Sequence, residues 1–297
     1  MSVALGASSA IRAPGLSEIR NGPRARFGFT IIELLVVIAV IAIVAAMLFP
    51  IFVTAQESGR RARCAVQIKQ LSAAIMAYAD DNGGRYVPAA RDIYADNLCR
   101  WHGTRSDTRH DFDPKNGPLW PYLAKSGGLK ECPSAARILK RSRDFSDPLT
   151  FPAFESGCGG FGYNGYYVGG TYYRNAPPEA AEVASLVSDI AHPSRTIMLA
   201  DAAMPKRDPK TGVEYLIEYS VVEPPFVPSP NSGLSTALSP SMHFRHNGLA
   251  SVAWCDGHVS AERMTWTLHD ENAYRADSLR NNVGFIGPRD NSLFDNK

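Results

Sequence analysis

The strongest pattern in the chain is one long apolar segment close to its beginning. Between residues 29 and 53 only Thr30, Glu33 and Pro50 are not apolar, and residues 34–49 form an unbroken apolar run of 16. A helix over residues 31–53 would be roughly 34 Å long, about the thickness of a bilayer core. Because the segment is apolar on every side and follows a basic stretch, we predict a membrane-spanning helix rather than a buried core helix.

The same helix is predicted to continue beyond Pro50 with a single apolar stripe. The stripe recurs at spacings of three and four residues and comprises Ala65, Ile68, Leu71, Ile75 and Tyr78. Residues 80–84, with the sequence Asp-Asp-Asn-Gly-Gly, provide turn and C-cap residue types. We therefore expect one helix over residues 30–80, roughly 75 Å long, whose second half packs on a carboxyl-terminal head.

From residue 85 onward, Gly and Pro are frequent and helical periodicity is scarce. The Gly- and Tyr-rich segment 157–173 predicts short strands and turns, with tyrosines packing on a sheet. Residues 195–200 predict a buried strand, residues 213–222 an exposed strand, and residues 179–189 a short helix. The head is thus expected to be mainly antiparallel sheet with long loops.

A β-hairpin is the clearest predicted element of the head. Residues 249–255 are strand-like, Asp256-Gly257 is a favoured two-residue turn, and residues 258–264 form the returning strand. Alternation places two sets of side chains on opposite faces: Val252 and Trp254 on one, and Ser251, Ala253 and Cys255 on the other.

The charged residues are unevenly distributed along the chain. The chain has 297 residues and net charge +2, enough for one or two domains, with no basic excess to indicate nucleic-acid binding. Residues 1–28 hold four Arg and one Glu, so residues 29–297 carry 27 basic and 28 acidic residues, a net charge of −1. We interpret residues 1–28 as a basic leader.

Two export signals fit such a beginning. In a secretory signal peptide, residues 53–55 would be the small-residue cleavage site. The apolar stretch is long for that class, however, and it contains Glu33, which costs about 2.5–3.5 kcal/mol inside lipid. An acid in this position indicates a function, and its partner should be a cation or a free amine.

The sequence of residues 28–38, GFTIIELLVVI, resembles the class III signal of type IV prepilins and pseudopilins. The resemblance implies that a prepilin peptidase cuts after Gly28 and that the new amine of Phe29 is N-methylated. It also implies that Glu33 attracts the α-amino group of a neighbouring subunit during assembly. Pro50 lies where this family usually has a helix-kinking proline.

The resemblance also implies a fold, a location and partners. The fold class would be α+β and pilin-like: a basic leader (1–28), a transmembrane and assembly half-helix (29–53), an amphipathic half-helix (54–84) and an exported head (85–297). The leader would be cytoplasmic and the carboxyl end outside, in a single pass through the bacterial inner membrane, before entry into a filament. The expected partners are prepilin peptidase/methyltransferase, other pilin or pseudopilin subunits, the inner-membrane assembly platform and membrane lipid, with no nucleic acid.

A second resemblance concerns the hairpin. Nine residues lie between His246 and Asp256-Gly257, which is similar to the His-x9-Asp-Gly segment of one large group of prepilin-like proteins. Residues 119–123 and 131–134 fit the same group. This group lends no enzymatic activity to the chain.

Catalytic and cofactor signals are sparse. His246, Asp256 and His258 are the residues that a metal would use, but we interpret them as structural or solvated side chains. Residues 111–117 lack the EF-hand pattern, so the sequence predicts no cofactor; calcium, which some pseudopilins bind in their heads, is kept as an alternative. No Gly-x-Ser-x-Gly motif or phosphate-binding loop occurs.

The chain has five cysteines. In an exported protein a cysteine is more often in a disulfide than free. Cys132 and Cys158 both flank turn-rich sequence, so we predict that they form a disulfide, with Cys99 able to replace either one. Cys64, on the long helix near the membrane, is expected to be unpaired.

These observations together predict a structural subunit of a type IV pilus or of a type II secretion-like pseudopilus, and not an enzyme. The alternative is a membrane-anchored binding protein for a glycan or a metal, or a hydrolase, that uses the prepilin-type signal only for export.

Overall fold

The computed structural model describes residues 29–139, 156–170, 183–228, 235–237, 239–268, 272 and 274–294. The predicted leader, Gly28 and part of the predicted helix over residues 179–189 lie outside the described residues. The chain divides into two units, Met1–Pro50 and Ile51–Lys297.

The long helix predicted over residues 30–80 is confirmed as α1, Ile31–Asp81. Thr30 precedes its first turn and Glu33 lies three residues later, which is the spacing of a capping box. At the other end, Gly83 and Gly84 have φ angles of 64° and 78°. The Gly84 N–H donates to the Ala79 carbonyl at 2.8 Å, so left-handed glycines end the helix as the sequence predicts.

In the first unit, every α1 side chain from residue 31 to residue 50 is exposed. Among the described residues, α1 is the one helix that is long and apolar enough to cross a membrane. Its amino-terminal part therefore has the composition and the bare surface of a membrane-spanning segment.

In the second unit, the later turns of α1 bury one stripe against the head. The buried α1 residues are Cys64, Ile68, Leu71, Ser72, Ala74, Ile75 and Ala79. This set contains Ile68, Leu71 and Ile75 from the predicted stripe, while Ala65 and Tyr78 are half-buried at its margins. The predicted amphipathic packing is confirmed.

The described strands of the head are short and antiparallel. In chain order they are β1 (Cys99–Arg100), β2 (Gly103–Thr104), β3 (Phe161–Tyr163), β4 (Ile197–Asp201), β5 (Met204–Arg207), β6 (Glu214–Ile217), β7 (Phe226–Pro228), β8 (Ser235–Ala237), β9 (Met242–His243), β10 (Leu249–Trp254), β11 (Val259–Arg263) and β12 (Val283–Gly284). Two one-turn helices, α2 (Trp120–Leu123) and α3 (Ala135–Ile138), precede β3.

One four-stranded antiparallel sheet, in the order β11-β10-β4-β3, organises the head. Its central register pairs Val252 with Ala200 on one side and with Ser260 on the other. All of β4 is buried, which confirms the strand predicted over residues 195–200. The remaining strands form the two-stranded ribbons β1-β2, β5-β6, β7-β8 and β9-β12.

The sheet separates two apolar clusters, as the alternation in β10 predicts. Ala253 and Cys255 lie in the cluster that contains the α1 stripe, and Val252 and Trp254 lie in the cluster on the opposite face. Apolar side chains thus cover both faces of β10.

Two local predictions are wrong. The hairpin loop after β10 has three residues, because Ala253 pairs with Val259 and the Trp254 N–H donates to the His258 carbonyl at 3.0 Å. Gly257 takes φ 85° to close it, as in a type I turn with a bulge. Residues 213–222 are also not one exposed strand: β6 ends at Ile217, and residues 220–222 are buried.

Candidate functional site

The start of α1 holds Glu33, the carboxylate that the sequence predicts to be functional. Glu33 Oε2 accepts hydrogen bonds from the Thr30 N–H at 2.9 Å and from the Thr30 hydroxyl at 2.8 Å, and the Glu33 N–H donates to Thr30 Oγ1 at 3.2 Å. This reciprocal cap holds an exposed negative charge at the positive end of the helix dipole. Phe29, 74% exposed, lies immediately before it.

Pro50 lies inside α1, where it ends the first unit. A proline has no N–H to donate to the carbonyl four residues earlier, so one backbone bond of the helix is missing here. Pro50 lies within the predicted transmembrane and assembly half-helix (29–53), and its role in assembly stays a prediction.

His246 occupies a tight turn in front of β10. The turn places Asn247 and Gly248 at φ 54° and 78°, and the His246 and Leu249 backbones bond to each other at 3.0 and 3.2 Å. Two central residues with positive φ, of the types Asn and Gly, are the signature of a type I′ turn. The Asn-Gly pair is a strong signal that the sequence analysis missed.

The His246 side chain is buried against the long helix. Its Nδ1 atom lies 2.7 Å from Oε1 of Glu57, which comes from α1. Burial raises the pKa of Glu57, but hydrogen bonds from Ser134, His246 and Arg60 outweigh it and leave the pKa below its usual value. A charged carboxylate of the helix thus meets the head through the histidine of the predicted motif.

The predicted Cys132–Cys158 disulfide is wrong, because Cys132 is bonded to Cys64. Cys64 was expected to be unpaired near the membrane, but it lies on the buried stripe of α1 and faces the head. Cys158 is buried outside the disulfide, as is Cys255, and Cys99 is half-buried. The cross-link therefore ties the helix to the head instead of closing a loop within the head.

Asp201 completes this region from the end of β4. Its Oδ2 atom accepts from the Ser251 N–H at 2.6 Å and lies 3.4 Å from His246 Nε2. His246 Nε2 is also 3.6 Å from Cys132 Sγ. Cys64, Cys132, Asp201 and His246 thus form one buried group whose ligand-type atoms all lie within 4.8 Å of one another.

The structure does not bring Asp256 and His258 to His246. The two residues pair with each other in the hairpin loop, where His258 Nδ1 lies 2.6 Å from Asp256 Oδ1 and both side chains are partly exposed. Burial raises the pKa of Asp256, but hydrogen bonds from the His258 N–H and ring outweigh it and leave the pKa below its usual value. The six residues of β10, roughly 20 Å of strand, separate the two ends of the motif, so the three residues cannot share a metal.

Sequence reasoning missed Glu57, Cys64 and Asp201. Cys64 carried a usable signal, since it precedes Ile68, Leu71 and Ile75 at the same spacing of three and four residues. Asp201 carried a second signal as a carboxylate directly after four buried apolar strand residues. Glu57 lies seven residues before Cys64, two turns away on the same side of α1.

Comparison with known proteins identifies one segment of the chain. Residues 23–49 match the family model described as the prokaryotic N-terminal methylation motif. No curated protein and no solved structure matches the chain. The match includes Gly28, Phe29 and Glu33 and the apolar half of α1, and it ends just before Pro50.

Proposed function

We propose that this chain, a type IV prepilin-like protein by its methylation motif and its long apolar helix, is a structural subunit of a type IV pilus or of a type II secretion-like pseudopilus. One observation carries the proposal: the motif leads directly into a half-helix whose apolar side chains are exposed over residues 31–50. Exposed apolar surface of this extent must be covered by lipid or by other helices.

Processing follows from the position of the motif. Prepilin peptidase would cut after Gly28 and leave Phe29 as the first residue, with an N-methylated amine. Four residues later, the capped Glu33 presents its carboxylate at the start of α1. In a filament this charge would pair with the Phe29 amine of the adjacent subunit, since an acid among apolar helices needs a cationic partner.

The arrangement also supports a sequence of locations. Before assembly the apolar half of α1 would lie in the bacterial inner membrane as a single span, with the carboxyl-terminal head outside. Entry into a filament, through the assembly platform, would move this half-helix from lipid to contacts with the same half-helix of other subunits. The head then forms the outer surface and acts as a structural unit rather than an enzyme.

The first test is the mass of the mature amino terminus. We expect protein from the membrane or filament fraction to begin at Phe29 with one added methyl group. Gly28→Leu should leave the leader attached because a bulky residue replaces the one next to the cut. Gly22→Leu, in the same leader, should be processed normally. A mature chain beginning at Gln56 would instead identify a secretory signal peptide and overturn the proposal.

A further inference from the structure

Four side chains with metal-ligand atoms meet inside the head where the second half of α1 docks. Cys64 comes from α1, Cys132 from the segment before α3, Asp201 from the end of β4 and His246 from the Asn-Gly turn; each is 0–1% exposed. We propose that the reduced chain binds one Zn²⁺ through these four residues, and that the Cys64–Cys132 disulfide is the metal-free oxidised state of the same site.

Two distances from His246 Nε2 match those between neighbouring ligands of a tetrahedral metal. With bonds of about 2.3 Å to sulfur and about 2.0 Å to nitrogen or oxygen, neighbouring ligands of zinc lie roughly 3.3–3.8 Å apart. His246 Nε2 lies 3.6 Å from Cys132 Sγ and 3.4 Å from Asp201 Oδ2. The second distance is long for a charged hydrogen bond, which is normally about 2.7–2.9 Å.

The contact with Glu57 orients the His246 ring as a metal ligand. The Glu57 carboxylate has no hydrogen to donate, so the 2.7 Å contact places the hydrogen on His246 Nδ1. Nε2, the other ring nitrogen, lies towards Cys132 and Asp201, where a metal ion can bind it. A carboxylate that accepts from the second nitrogen of a histidine is the usual outer partner of zinc-bound histidine.

Asp201 is also held in place for a role as a ligand. Its Oδ2 is fixed by the Ser251 N–H, while Oδ1 is buried without a hydrogen bond and lies 3.7 Å from Nε of the buried Arg245. Two thiolates and Asp201 contribute three negative charges, and Zn²⁺ and Arg245 contribute three positive ones. A buried site needs this kind of compensation.

The two states interconvert by a balanced reaction. Reduction of the disulfide by a phosphine or dithiol takes up two electrons and two protons and gives two thiols. Binding of Zn²⁺ then releases the two thiol protons as the Zn–S bonds form. Reoxidation by a small-molecule disulfide passes two electrons from the thiolates to that reagent, which leaves as two thiolates, while the S–S bond is restored and the ion is released.

The test uses the full chain in detergent, first reduced with a phosphine and then equilibrated with Zn²⁺ and freed of excess ion. We expect one zinc per chain by elemental mass spectrometry, and none after oxidation to the disulfide. X-ray absorption at the zinc edge should show two sulfur and two nitrogen or oxygen neighbours, a result that needs no variant.

Substitutions then assign the ligands. Cys64→Ser should abolish stoichiometric zinc, and Glu57→Ala should weaken affinity about 10–100-fold through loss of the outer partner. Cys99→Ser is the matched control and should bind as the unaltered chain does, while circular dichroism checks that α1 persists in each variant. A reduced chain without zinc, a zinc without sulfur neighbours, or full zinc in Cys64→Ser would each overturn the proposal.

Discussion

At the scale of single residues, the Glu33 carboxylate has two roles, one in its own chain and one in the proposed filament. Within its own chain it caps α1 through Thr30, and in the proposed filament it pairs with the amine of another subunit. The cap needs only a side-chain acceptor, which Gln also provides, whereas the pairing needs a negative charge. The two roles can therefore be separated by substitution.

We predict that Glu33→Gln keeps the helix start but prevents incorporation into filaments. Removing one charge of a pair buried among helices costs about 3–5 kcal/mol, so incorporation should fall by more than about 100-fold. Thr30→Val is the matched control, because it removes the capping hydroxyl, at a cost of about 1 kcal/mol, and keeps the charge. Immunoblots of sheared filaments and of membranes measure both variants. Normal incorporation of Glu33→Gln would show that charge pairing is not needed.

At the scale of elements, the ribbon of β5 and β6 depends on one carboxylate. Glu214 pairs with Arg207 across the strands at 2.8 Å and also accepts from Asn281 Nδ2 at 2.7 Å and the Asp277 N–H at 3.2 Å. Burial raises the pKa of Glu214, but these donors outweigh it and leave the pKa lowered. Glu214 thus joins the ribbon to the segment before β12.

We predict that Glu214→Gln lowers the free energy of unfolding by about 1 kcal/mol at neutral pH. Because the folded-state pKa is below the unfolded one, the contribution is complete above the unfolded pKa and is lost as pH falls through the folded pKa. Urea unfolding of the detergent-solubilised chain, followed by tryptophan fluorescence, checks this, with Glu262→Gln on β11 as control. If the free energies of unfolding of the unaltered chain and of Glu214→Gln differed as much at acidic pH as at neutral pH, the ionic explanation would be contradicted.

At the scale of the whole molecule, the Cys64–Cys132 bond spans 68 residues and joins α1 to the segment before α3 in the head. Closing a loop of this length stabilises a chain by about 4 kcal/mol in the chain-entropy model. The Glu57–His246 contact lies two helical turns nearer the membrane segment and adds a polar connection beside it. The helix and the head of the second unit are therefore held together by more than apolar packing.

We predict that non-reduced peptide mapping finds Cys64 linked to Cys132, and that Cys64→Ser lowers the free energy of unfolding by several kcal/mol. Cys99→Ser, a half-buried cysteine outside the disulfide, should change it by less than about 1 kcal/mol. A peptide that links Cys132 to Cys158 would restore the pairing predicted from sequence and contradict the structure.

Prediction from sequence succeeded where a local period determines the structure. Spacings of three and four gave the α1 stripe, and alternation of two gave the faces of β10, because α1 packs one side on the head and successive β10 side chains enter opposite apolar clusters. It failed for Cys64 with Cys132 and for Glu57 with His246. These contacts depend on how α1 docks on the sheet, and no local pattern records the partner of a residue 68 or 189 positions away.

The tie between helix and head has a mechanical consequence. A filament under tension is loaded along its central helices, and the load reaches each head where the head is fastened. Here the helix and the head are joined by a covalent bond at Cys64, in the part of α1 that follows its apolar half. Tension along α1 would therefore stretch the helix before it could separate the head from it. In the proposed filament, loss of that bond would allow the head to separate from α1 under load.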